Sequence, residues 1–92
     1  LMQVIWDENK RHQNLKKHGL DFRDAEQVLS GPVVLFEDDR EAYGEQRFIG
    51  IGLLRTIVVV IVHTESSGRF RVISMRKAES DEEDLYFQQL GY

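Results

Sequence analysis

Five charged residues fall into two short stretches of this chain. Glu45 and Arg47 stand two apart, Arg69, Arg71 and Arg76 follow further on, and His63 lies between the two groups. Arginine suits phosphate, because its planar fork meets two oxygens at once and keeps its charge at any working pH. A carboxylate or an imidazole moves protons when its surroundings tune its pKa. Together these residue types can serve cleavage of a phosphodiester by the neighbouring ribose 2′-hydroxyl. That reaction needs a proton taken from the attacking oxygen, charge stabilised on the phosphorane-like state, and help for the leaving oxygen. One preorganised donor at such a state is worth roughly a hundred- to a thousandfold in rate. Arg47, Arg69, Arg71 and Arg76 are the candidates for holding the phosphate, and either Glu45 or His63 for handling protons.

Each candidate also admits a plainer reading. Residues two apart share one side of a strand, so Glu45 and Arg47 can be no more than an exposed ion pair. His63 closes an apolar run, where a histidine commonly packs. Strict alternation puts Arg71 with Arg69, Ile73 and Met75, and Arg76 with Phe70, Val72 and Ser74, so the two arginines do not share a flat face unless one acts from the strand end. There is no glycine-rich phosphate loop, nucleophile elbow or paired-histidine motif. His12 and His18 are six apart, unlike helical metal ligands at i and i+4, so neither a metal nor a cofactor is expected.

The elements that must position these residues follow from hydrophobic period and punctuation. Gln3 to Trp6 alternates as a strand, and Asp7 caps a helix that ends at Gly19. That helix carries Leu15 as nearly its only large apolar residue, which predicts a surface position. Its cations Lys10, Arg11, Lys16 and Lys17 come with no acid between Lys10 and His18, which suits a face that meets phosphate or an acidic partner, or simply a solvated one. Asp21 opens a second helix carrying Phe22, Ala25, Val28 and Leu29, stopped by Gly31 and Pro32. Strands are predicted at Val33 to Phe36, Gln46 to Leu53, Thr56 to Thr64 and Arg69 to Met75. Within the second of these, Gly50 and Gly52 imply a bulge or a close backbone approach. The third is apolar on both parities, as in a central strand. Ser80 and Glu83 form a capping box for a last helix reaching Leu90, with Tyr86 packing on the sheet. The order β-α-α-β-β-β-α describes an α+β fold, an antiparallel sheet packed with helices.

At 92 residues the chain closes one hydrophobic core, read as a single domain over 2–92 with Leu1 set aside before a start at Met2. The absence of cysteine removes disulfide frameworks and thiol chemistry. The longest apolar run, Ile57 to Val62, is too short to span a bilayer, so a cytoplasmic protein with no membrane role is expected. A net charge of −4 argues against a protein that coats nucleic acid by charge alone.

Several of these residues, in this order, resemble BrnT-type toxins. They are Trp6-Asp7, Lys10, Asn14, Lys17-His18-Gly19, the helix Phe22 to Val28, Gly44-Glu45-Gln46-Arg47, Gly52 and the run Arg71 to Ala78, so the likeness spans nearly all of Met2 to Tyr86. Met75 stands where the pattern usually has alanine, and His63 occupies a variable position. The resemblance implies a RelE-like fold and a ribonuclease that arrests translation. It further implies neutralisation by a BrnA-type antitoxin, through which alone the complex binds operator DNA. Carried over, it marks Glu45, Arg47, Arg71 and Arg76 for the active site, and Lys10, Lys17 and His18 for RNA contact. The alternative is a non-enzymatic module that only engages its antitoxin. Direct DNA binding is disfavoured, since no helix-turn-helix stands out.

Overall fold

Residues 2–91 are described by a computed structural model, and Leu1 and Tyr92 lie outside it. The chain runs β1 (Gln3–Trp6), α1 (Glu8–His18), a 3-10 turn (Phe22–Asp24) leading into α2 (Ala25–Leu29), β2 (Val33–Asp38), β3 (Arg47–Leu54), β4 (Ile57–Ser66), β5 (Arg69–Lys77) and α3 (Ser80–Leu90). Each expected element is present, but four strands lie between α2 and α3, one more than the order β-α-α-β-β-β-α contains. The Asp7 carboxylate accepts from the amides of Asn9 and Lys10 at 2.8 and 3.2 Å, and Gly19 takes the left-handed φ of 71° that ends α1. The capping box of α3 lies one residue before its expected place. Glu79 is the N-cap, and the Glu82 carboxylate accepts from the Glu79 amide at 2.8 Å. The Ala78 amide still bonds to the Val58 carbonyl at 2.9 Å, so only the cap residue Glu79 separates the sheet from the helix.

The five strands form one sheet in the order β1-β5-β4-β3-β2. From β2 to β5 consecutive neighbours pair antiparallel, as short connections require. β1 joins the far edge parallel to β5, from Gln3 opposite Arg69 to Trp6 opposite Val72. One side of the sheet is closed by Phe22, Ala25, Val28 and Leu29 against Leu54, Val59, Ile61, Val72 and Met75. The other is closed in part by Tyr86 and Leu90 of α3 against Ile51, Val58 and Val60. Central β4 feeds both, and Val58 to Ile61 are all at most 2% exposed. The Tyr86 hydroxyl donates to the Pro32 carbonyl at 2.9 Å, which ties α3 to the start of β2. Gly52 marks a close approach, not a bulge. A Cβ there would lie 2.8 Å from Val28 Cγ1, so glycine lets α2 lie against β3.

Helix α1 docks by polar groups. Leu15, its one large apolar residue, is 38% exposed, whereas Arg11 and Asn14 are buried. Arg11 pairs with Glu8 at 2.9 Å and Asp21 at 3.1 Å. Asn14 Nδ2 donates to the Met75 carbonyl at 2.8 Å, and the Met75 amide donates to Asn14 Oδ1 at 3.1 Å. β1 covers β5 only as far as Val72, so the amide of Asn14 supplies the edge hydrogen bonds that a longer β1 would have made.

Candidate active site

The ladder between β4 and β5 decides which arginines meet. Val60 lies opposite Arg76 and Val62 opposite Ser74, but His63 then pairs with Val72 and Thr64 with Arg71, a register shift that skips Ile73. Residues directly opposite one another point to the same side, and β4 alternates without interruption through positions 60, 62, 64 and 66. Arg76, Ser74, Arg71 and Arg69 therefore all point to one face. This corrects the expectation that Arg71 and Arg76 fall on opposite faces. The bulge at Ile73 adds half a period, and in consequence Val72 and Met75, three apart, both enter the core beneath α2. Such bulges are over-represented beside active sites, where they re-aim side chains.

On that face Arg71 Nη2 donates to Glu45 Oε2 at 2.6 Å, and Arg47 Nε donates to the same oxygen at 3.2 Å. Glu45, Arg47 and Arg71 are thus brought together, Glu45 from the loop before β3 and Arg71 from two strands away. Hydrogen bonding from Arg47, with Arg71 adding its charge, holds the Glu45 carboxyl below its usual pKa, so it is ionised at neutral pH. Glu45 and Arg71 remain 34% and 44% exposed, and ion pairs this open contribute roughly 0–1 kcal/mol. The pair is weak enough for an incoming phosphate to exchange with the carboxylate.

Behind this cluster lies a rigid support that the sequence reading did not single out. The buried Asp38 carboxylate accepts from Arg40 Nε and Nη2 at 2.7 and 2.8 Å, from the Arg40 amide at 3.3 Å and from the Tyr43 hydroxyl at 3.2 Å. The Arg40 guanidinium lowers its pKa to about 2. Tyr43 in turn lies under Arg47, whose guanidinium carbon is 4.1 Å from the ring centroid. An acid beginning a loop that ends in Tyr-Gly-Glu-Gln-Arg was the only signal available, and nothing in it specifies who pairs with whom.

Arg76 shares the face but is held elsewhere. Its Nη1 and Nη2 each donate to Glu82 at 2.8 Å, a bidentate pair that anchors the start of α3 and raises the arginine's pKa. Lys10, Lys17 and His18 are exposed on α1 along the free edge of β5. Lys17 and His18 border a hollow with Ile73 and Ser74, and Lys10 reaches the neighbouring one beside Arg71. His63 is separated from all of these. It points to the other side, 0% exposed, with its ring between Phe48 and Phe70 at centroid distances of 6.0 and 5.7 Å. Desolvation there pushes its pKa down. An expectation that pictured His63 at the strand end beside the arginines overlooked that odd positions of β4 face α2. Among the described residues no three His, Cys, Asp or Glu side chains are grouped as a metal ion would require.

A family model described as "Ribonuclease toxin, BrnT, of type II toxin-antitoxin system" matches residues 6–82. The chain belongs to the BrnT toxin family. The 1.1 Å crystal structure of the Brucella abortus ribonuclease toxin BrnT is similar in fold, with a TM-score of 0.69 and 34% identity over 87% of this chain and 100% of that one. A comparison with curated proteins finds no match. BrnT-family members are ribonuclease toxins of type II toxin-antitoxin systems, which places an antitoxin among their partners. The BrnT match also bears out the α+β architecture read from the sequence. Among the described residues no helix is long and apolar enough to cross a membrane.

Proposed function

We propose that this chain is a metal-independent endoribonuclease acting on cytoplasmic RNA, with Glu45, Arg47 and Arg71 as its reacting groups. The observation that carries the reading is the convergence of two guanidinium groups on one carboxylate oxygen at an open face. A substrate phosphate that takes Arg71 and Arg47 from Glu45 strips the carboxylate of the donors that lower its pKa. Glu45 then becomes a stronger base beside the 2′-hydroxyl. The 2′-oxygen bonds to phosphorus as its proton passes to Glu45, the bond to the 5′-oxygen breaks, and that oxygen takes up a proton from water on the open face. The two arginines carry the negative charge that grows on the phosphoryl oxygens. Arg76 would join them only on release from Glu82. Lys10 and Lys17, with His18 beside them as a further RNA contact, extend the cationic strip along which the RNA lies. A BrnA-type antitoxin neutralises the toxin, and the complex reaches operator DNA through the antitoxin.

A second reading has one observation in its favour. Arg47, Arg71 and Arg76 each have a carboxylate partner, which is also how a purely structural ion-pair network is arranged. Induced expression of the wild type, Arg71→Ala and Glu45→Gln, with RNA integrity followed on a gel, separates the two. Loss of growth arrest and of RNA cleavage by a hundredfold or more in both variants, with antitoxin binding intact, supports the ribonuclease. Intact RNA beside folded wild-type protein, with the variants weakened only in complex formation, leaves a binding module.

A further inference from the structure

One arginine on this face has no acid to neutralise it among the described residues. Arg40, Arg47, Arg71 and Arg76 each pair with a carboxylate, whereas Arg69 only donates from Nε to Gln3 Oε1 at 3.3 Å. Arg69 and Arg71 line an open hollow of about 420 Å³ together with Thr64, Ser66, Ser67 and Ile5. The ladder repeats one chemical unit along this hollow. Thr64 lies opposite Arg71, and two residues further Ser66 lies opposite Arg69, so each arginine faces a hydroxyl across the strands. Two residues of a strand advance by roughly 6.7 Å, a stride that an extended nucleotide backbone can match. A guanidinium and a hydroxyl together present the donors that phosphate oxygens accept.

We propose that Arg69, with the hydroxyls of Ser66 and Ser67, forms a second phosphate subsite that holds the phosphodiester adjoining the one at Arg71 in a single-stranded RNA. The inference rests on the reading of Arg71 as the site of the scissile phosphate. Because Arg69 is paired with no carboxylate among the described residues, this subsite binds without displacing one, and it seats the strand before Glu45 gives up its arginines. An RNA with a single phosphodiester lacks the second anchor and is a poor substrate.

Two probes test this. The first is a single-stranded RNA of about ten nucleotides with 2′-O-methyl sugars, which binds but offers no attacking hydroxyl. Its affinity is followed against salt for the wild type, Arg69→Ala and Arg69→Lys. Loss of one phosphate contact lowers the log–log slope by about 0.7 in the alanine variant, and lysine restores it. The second is a cleavable RNA carrying one uncharged methylphosphonate on either side of the mapped cut. Arg69→Ala lowers kcat/KM on the fully charged RNA on the order of tenfold. The neutral linkage on one side produces the same loss in the wild type and adds nothing in Arg69→Ala. An unchanged salt slope, or losses that multiply, overturns the subsite. So does an Arg69→Ala protein that binds RNA normally and instead loses its antitoxin, which makes the hollow a protein contact. A wild type that binds with the expected slope difference but cuts nothing supports the subsite and overturns the ribonuclease reading alone.

Discussion

The two faces of the sheet are built from the same strands and treat their polar groups in opposite ways. Beneath α2, His63 is fully enclosed, and neither ring nitrogen has a hydrogen-bond partner among the described residues. On the other face Arg47, Arg71 and Arg76 lie among carboxylates with their side chains 21–44% exposed. The first face is dry, and its histidine is held neutral because charging it there is unfavourable. The second is wet, and its ion pairs are individually weak, so substrate can compete for them. The comparison teaches that reactivity on this sheet depends on the side to which a residue points, and one extra residue in β5 sets that for half the site.

The sharpest way to break the contrast is to insert one alanine between Val62 and His63. Ile73 then gains a partner across the ladder and the bulge is lost, so either Val72 or Met75 turns out of the core. Stability should fall by about 3 kcal/mol or more, read by urea unfolding, and RNA cleavage should vanish. An insertion variant that unfolds at the wild-type midpoint would show that the bulge does not divide the faces.

A smaller effect is expected at the edge of β5. Asn14→Ala strands the amide and carbonyl of Met75, and unpartnered buried groups of this kind cost roughly 1–3 kcal/mol. Asn14→Asp, which accepts but cannot donate when ionised, should recover only part of that loss. Both variants should also weaken RNA binding, because α1 carries Lys10 and Lys17. Equal stability of all three proteins would mean that α1 is held chiefly by Arg11.

The smallest effect is a pH slope. His63 has its folded pKa below the ordinary histidine value of 6.5, so the unfolded chain takes up the proton first as pH falls. Stability is therefore fully present above about 6.5 and declines as pH falls below that value, by at most about 1.4 kcal/mol per unit. The decline ceases below the folded pKa. His63→Phe should flatten the slope in that window, measured by unfolding at fixed pH values. A slope that survives the substitution would assign it to other groups.

Much of the fold was legible because local signals agreed with the global one. The cap at Asp7, the stop at Gly31-Pro32, the turn at Ser66 to Gly68 and the two-sided apolar run of β4 each use short-range rules, and each element formed where those rules put it. The site was legible only as residue types. Glu45, Arg47 and Arg71 carry the right chemistry, but alternation counted along β5 misplaced Arg76 relative to Arg71, and the apolar company of His63 did not reveal its face. Asp38 and Tyr43 went unremarked because an acid and an aromatic in a polar loop look like any solvated connection.

By itself, then, the sequence determined the individual elements and the central strand, because periodicity, caps and turn residues act within a few positions of one another, and its motifs carried the resemblance to the family. Tertiary structure alone decided the parallel seat of β1, the docking of α1 through Asn14 and the bulge at Ile73. Each depends on what lies across the ladder, and hydrogen-bond register between strands is a relation that no single stretch of chain encodes.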